Sequence, residues 1–296
     1  MSKFLIVTSA LLLCTATTDA QLPSTDAYLL TVFNNGKKVT TRDITYLSGM
    51  NPNGYNNQPF FSGPHELYLT SNLHDKQYTD IMKLDLLSNE YSYFTLTDSI
   101  SEYSPTPTAG NNMLSCVRVE KDHKTQALHL YPLSQENGGR RLAKDINNVG
   151  YHQWMSESEV ALFLVTQPTS LVLYDIENQT KKLISENVGK GMKQDKYGNL
   201  MYIHKVRDDL WYIKSYDPES ETSEIVTQTI PGSEFFELMV DGTILMGGGS
   251  SIYYFMPGVS DTWQEATDLY QYGIENITRM AVSRNKLVII NKKINE

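Results

Sequence analysis

Pro59-Phe60-Phe61-Ser62, a Gly63-Pro64 turn, His65-Glu66-Leu67-Tyr68-Leu69-Thr70-Ser71-Asn72, then Asp80-Ile81-Met82-Lys83-Leu84-Asp85 and Glu90-Tyr91-Ser92-Tyr93-Phe94-Thr95 decide the fold of this chain. Each run alternates, or is rich in β-branched and aromatic residues. Each gap holds Gly, Pro, Asn, Asp or Ser. That is the pattern of short antiparallel strands. Four such strands in about 40 residues, repeated along a chain, read as one blade of a β-propeller.

The pattern returns. Aligned on the first strand of each unit, copies begin near Gln58, Tyr103, Tyr151, Gly191, Phe235 and Ile277, spaced by 45, 48, 40, 44 and 42 residues. Second strands follow at Met113–Glu120, Val160–Thr166, Leu200–Lys205, Thr243–Met246 and Lys286–Asn291. Gly110-Asn111, Glu157-Ser158, Tyr197-Gly198, Asp241-Gly242 and Arg284-Asn285 separate first from second strands. Gly, Asn and Asp tolerate the left-handed backbone of tight hairpins.

The termini complete the ring. After Ile277 the chain supplies only two strands, Ile277–Ser283 and Lys286–Lys292. Ala27–Asn34 and Lys38–Tyr46, joined at Asn35-Gly36, supply two more. Together they make a sixth blade from both ends of the chain. Such closure removes two open sheet edges, which otherwise template aggregation. The expectation is an all-β, six-bladed propeller spanning residues 21–296. Helix is nearly absent, with at most a turn at Trp263–Tyr270.

Residues 1–20 read as a secretory signal peptide. Lys3 supplies the positive segment, Phe4–Leu13 the apolar run, and Thr18-Asp19-Ala20 the small residues before cleavage. The run is too short to span a bilayer, and no later stretch approaches a span. Large Leu13 before Cys14 argues against a lipid anchor. An exported protein, periplasmic or extracellular, is expected. Cleavage leaves Cys116 alone, so burial rather than disulfides must hold the fold, and Cys116 reads as a core thiol. With 25 basic and 34 acidic side chains the net charge is −9. Nothing there attracts a phosphate backbone, so no nucleic-acid partner is expected. The basic pairs Arg140-Arg141 and Lys181-Lys182 fall in predicted turns. A closed ring with a polar surface has no need of a second copy, and a monomer is expected.

Phe61-Ser62-Gly63-Pro64-His65-Glu66-Leu67-Tyr68-Leu69-Thr70-Ser71-Asn72 with Asp80-Ile81-Met82-Lys83-Leu84-Asp85 resembles the repeat of TolB-type, WD40-like (PD40) propellers. The other copies keep the turn and second strand: Gly110–Ser115, Tyr197–Tyr202 and Asp241–Met246. The resemblance implies the propeller fold over Ala27–Lys292. It implies little about chemistry, because such propellers serve as binding modules, scaffolds and enzymes. TolB carries an additional N-terminal α/β domain, for which this length leaves no room, so a Tol–Pal role is not implied.

The sequence contains no G-x-S-x-G, H-E-x-x-H, P-loop, C-x-x-C or EF-hand motif. No catalytic residue, metal ligand or cofactor is therefore assigned. What remains is geometry. Inner propeller strands line a central funnel, and residues near their starts sit at its mouth. Gln58, Glu102, Tyr103, His152, Lys190, Glu234 and Arg279 are the candidates, with Ser104, Tyr151 and Phe235 beside them. This mixture suits a protein partner or a small polar ligand. The bland reading is that the groups satisfy one another and bind channel water. His152 reads as a hydrogen-bonded structural group before it reads as a base. Glu102 and Glu234 would have to face each other to act as an acid/base pair. Arg118 and Glu120 alternate on a second strand and should ion-pair with a neighbouring blade. Gly247-Gly248-Gly249-Ser250-Ser251 is a hairpin loop rather than a phosphate cradle, since no helix follows. The alternative to a binding module is a propeller enzyme, a lactonase-like hydrolase or a polysaccharide lyase, with its site in the funnel. The scarcity of Asp and Asn at the mouth counts against a channel Ca²⁺.

Overall fold

The computed structural model describes residues 22–110, 112–134 and 139–293. The expected signal peptide, Cys14 and Asn111 lie outside them. Six four-stranded antiparallel sheets form a ring of blades. From the channel outward, blade 1 is Asn56–Phe61, Glu66–Ser71, Asp80–Asp85 and Glu90–Tyr93. Blade 2 is Ser101–Pro107, Met113–Val119, Gln126–Pro132 and Arg140–Arg141. Blade 3 is Val149–Trp154, Glu159–Leu164, Ser170–Asp175 and Thr180–Glu186. Blade 4 is Val188–Gln194, Leu200–Arg207, Leu210–Asp217 and Thr222–Gln228. Blade 5 is Phe236–Leu238, Ile244–Gly248, Ser251–Phe255 and Gln264–Asp268.

Blade 6 is the composite one. Its inner strands are Ile277–Ser283 and Lys286–Lys292, and its outer strands are Thr25–Asn34 and Val39–Tyr46. The seam pairs Thr25 with Lys292 through to Thr31 with Lys286.

Alternation explains why the ring holds. Second strands are buried on both faces, so they read as apolar runs whose odd and even residues face different neighbours. Leu67 and Leu69 pack with Val288 and Ile290 of blade 6, whereas Tyr68 packs with Leu114 and Cys116 of blade 2. Six apolar clusters fill the six gaps between blades. Cys116 is a buried free thiol in the gap between blades 1 and 2.

Three local expectations change. Arg140-Arg141 and Lys181-Lys182 lie in outer strands, not turns. An outer strand has solvent beside it, so charge there costs little. The segment around Trp263 is the strand Gln264–Asp268, followed by a 3₁₀ turn at Tyr270–Tyr272. Arg118 pairs at 3.1 Å with Glu120, just past the end of its own strand, and Glu120 also meets His129 of the next strand. Gly247 and Gly248 end a strand, and the turn falls at Gly249, where φ is +59°. Among the described residues no helix is long and apolar enough to cross a membrane.

Candidate functional site

Bulges place the channel-lining side chains. Five of the six inner strands are irregular, at Asn57/Phe60, Tyr103/Thr106, Val149/Tyr151, Val188/Met192 and Ile277/Arg279. A bulge adds a residue against the partner strand and re-aims the side chains beside it. Gln58 and Ser104 take left-handed φ values of 55° and 56° at these sites. At Gly191 the strands of blades 4 and 5 come so close that a Cβ would lie 2.8 Å from the Glu234 carbonyl oxygen.

Two joined spaces result. The channel proper is a cavity of about 90 Å³ bounded by inner-strand residues, among them Gln58, Ser104, His152, Lys193, Glu237 and Arg279. Above it, on the face where inner strands begin, the mouth opens into a space of about 580 Å³. Tyr55, Lys190, Glu234, Phe235, Arg279 and Lys292 line the mouth, and Lys190, Phe235 and Arg279 border both spaces.

Arg279 sits among aromatic rings. Its guanidinium lies 3.7 Å from the Phe235 ring centroid and 4.9 Å from that of Tyr151. Its Nη2 donates to the Tyr151 hydroxyl at 2.6 Å. Tyr151 and Phe235 meet edge to face at 5.6 Å, and Tyr55 and Tyr103 at 6.4 Å. Burial raises the Tyr55 hydroxyl well above the usual phenol range, an effect the Arg279 charge partly offsets.

Glu234 is a double acceptor. Lys190 reaches it at 2.6 Å, and Lys205, from the second strand of blade 4, pairs with its other oxygen. Burial alone would raise this carboxyl, but the two lysines outweigh burial and hold it below its ordinary range. Deeper in the channel Lys193 pairs with Glu237. There burial outweighs the lysine, and the Glu237 carboxyl titrates above its ordinary value.

His152 is buried, with its Nε2 2.6 Å from the Ser115 hydroxyl. Ser115 Oγ donates its proton to the Thr106 carbonyl and accepts the Trp154 Nε1–H. Its remaining lone pair must therefore accept from His152, which fixes the proton on Nε2 and leaves Nδ1 as an acceptor. Nδ1 has no hydrogen-bond partner, and neither does the buried Ser104 hydroxyl. Burial drives the imidazole pKa down to about 3, so the ring is neutral at any physiological pH.

The other candidates do not line the mouth. Gln58 Oε1 accepts from Thr70 Oγ1 and from the Ser104 N–H, both at 2.8 Å, which ties blade 1 to blade 2. Tyr103 packs towards the gap between blades 2 and 3. Glu102 borders neither space. It is fully buried, and its oxygens accept from Thr97 Oγ1 at 3.0 Å and the Tyr131 hydroxyl at 3.2 Å. Burial, with the Asp80 carboxylate nearby, pushes its pKa up to about 7. Glu234 lines the mouth and Glu102 borders neither space, so the two carboxyls do not face each other across the funnel. Lys193, Lys205, Glu237 and Tyr55 belong to the site but escape the sequence reading. A charge between two apolar residues of an inner strand, as at Glu237 between Phe236 and Leu238, was the available signal. Among the described residues no three His, Cys, Asp or Glu come together as a metal-holding group.

No family model matches the chain, and no curated protein matches it. Solved structures do. A putative TolB from Agrobacterium tumefaciens aligns at TM-score 0.67 with 10% identity, covering 93% of this chain and 100% of that one. TolB from Acinetobacter baumannii aligns at 0.60 with 10% identity, covering 92% of this chain; the chain spans 65% of that protein. An oligogalacturonate lyase in complex with manganese aligns at 0.56 with 12% identity, covering 86% and 83%. At these identities the likeness is one of fold: a six-bladed propeller of the TolB-like kind.

Proposed function

We propose that the chain is an exported, non-enzymatic propeller that binds a protein or small polar ligand at its funnel mouth. The observation that carries this reading is the mouth itself. It is an open space of about 580 Å³, walled by aromatic rings and by charges already held in place. Such walls suit recognition, since little ordering remains to be done on binding. Export rests on the N-terminal segment, residues 1–20.

The lyase among the structural neighbours keeps an enzymatic reading in view. Against it, His152 is too weak a base for proton abstraction near pH 7, and Glu102 faces away from the channel. The test is affinity capture from the native envelope fraction with wild type and a Lys190→Ala/Glu234→Ala variant. Partners retained by wild type and lost by the variant support the mouth as the binding face. Partners held equally by both place binding elsewhere. Turnover that needs Mn²⁺ or Ca²⁺ and is removed by EDTA would make the protein an enzyme.

A further inference from the structure

We propose that the mouth recognises a carboxylate group, held by Arg279, on a ligand that also carries a hydrogen-bond donor. The inference rests on the mouth being the binding site. Arg279 has no counter-ion among the described residues, and neither does Lys292, which also lines the mouth. Lys190 and Lys205 share Glu234, and Lys193 has Glu237. Five cations thus face two carboxylates, a surplus of three positive charges, in a chain whose net charge is −9. Clefts with one sign of charge and low-dielectric walls concentrate the opposite ion.

The geometry narrows the anion. Stacking on Phe235 and the bond to Tyr151 fix the guanidinium plane and consume one of its five N–H donors. A pre-oriented planar fork suits a carboxylate, which accepts two parallel N–H bonds.

The donor requirement comes from below. His152 and Ser104 line the same channel cavity as Arg279, and His152 Nδ1 and Ser104 Oγ are buried without a partner. His152 Nδ1 is an acceptor only, so what meets it must donate. A leftover acceptor in a buried polar site favours a ligand N–H or O–H, because leaving it unmet is costly. A carboxylate with a nearby donor occurs at a peptide C-terminus, where the donor is the last backbone N–H. It also occurs in a free hydroxy acid.

Titration calorimetry distinguishes the cases. The probes are the peptide acetyl-Ala-Ala-Gly with a free or an amidated C-terminus, glycolate, and uncharged glucose, at constant ionic strength. The expected result is binding of the free-acid peptide, of glycolate, or of both, with the amide and glucose silent. The peptide alone identifies a chain terminus, and both together a free carboxylate. Arg279→Gln should weaken binding by about tenfold or more, as loss of a charge-assisted contact does. The acid/amide comparison uses wild type only, so it stands even if the variant misfolds. Equal binding of acid and amide, binding unchanged in Arg279→Gln, or no binding of either carboxylate overturns the proposal. Glucose or amide binding that is lost in the Lys190→Ala/Glu234→Ala variant would overturn it while leaving the mouth as a binding site.

Discussion

Glu102→Gln should make this protein more stable above neutral pH and leave it unchanged in acid. Glu102 is fully buried, and its carboxyl titrates near 7 rather than at the ordinary 4.5. The chief cause is loss of water around the charged form, and the Asp80 carboxylate adds to it. A carboxyl whose folded pKa is raised holds its proton more tightly in the folded state than in the unfolded one. Its stabilising contribution is therefore complete below about pH 4.5 and is lost as pH rises through 7. The gap from 4.5 to about 7, at about 1.4 kcal/mol per pH unit, amounts to about 3 kcal/mol. Glutamine mimics the protonated acid. Its amide oxygen can accept from Thr97 Oγ1, and its NH₂ can donate to Tyr131, whose hydroxyl then serves as acceptor. Urea unfolding of both proteins at pH 4.5, 6 and 8 measures the effect. Similar stabilities are expected at pH 4.5, with the variant ahead by about 3 kcal/mol at pH 8. Comparing variant with wild type cancels the distant Glu237, whose carboxyl is also raised. A parallel decline in both proteins, or a variant less stable at pH 8, would refute the reasoning.

The remaining expectations are shorter. His152 should show a protonated Nε2, an unprotonated Nδ1 and no titration between pH 5 and 8 in ¹⁵N-edited spectra of the imidazole; a midpoint near 6.5 would contradict its buried placement. Ile289→Ala empties a fully buried site between blades 5 and 6 and should cost about 2–4 kcal/mol in urea unfolding; a cost under half a kcal/mol would show a loosely packed closure. Gly191→Ala drives a Cβ against the Glu234 backbone, so the inner strands of blades 4 and 5 must separate. About 1–3 kcal/mol of stability should go with it, along with part of any mouth binding. Unchanged stability would mean that the two strands are not so close.

Much of this fold is legible in the sequence because propeller blades repeat two simple demands. Leu67-Tyr68-Leu69 must fill two gaps at once, which leaves an apolar run, and the hairpins must turn tightly, which leaves Gly, Asn and Asp. The two strands at each terminus are legible as halves of one blade because neither half can bury its faces alone. Outer strands obey weaker demands. Arg140-Arg141 and Lys181-Lys182 look like turns since a strand edged by solvent tolerates charge, and no apolar pattern marks it.

The site is less legible, for a geometric reason. Alternation predicts which way a regular strand points its residues, but a bulge resets the alternation. Glu102 and Tyr103 lie beside the Tyr103/Thr106 irregularity, and the cavity receives Ser104 instead. Arg279 lies just past the Ile277/Arg279 irregularity and turns into the funnel. Lys205 arrives from a second strand, which a search limited to inner strands passes over.

Site-specific photo-crosslinking tests the central claim most directly. A photoreactive residue replaces Thr278 at the mouth in one protein and Val240, 84% exposed on the opposite face, in another. Each is made in the native host and irradiated. Binding at the funnel mouth predicts discrete adducts from position 278 and none from 240. Adducts from 240 with none from 278 would contradict it and move the working surface to the other face of the ring.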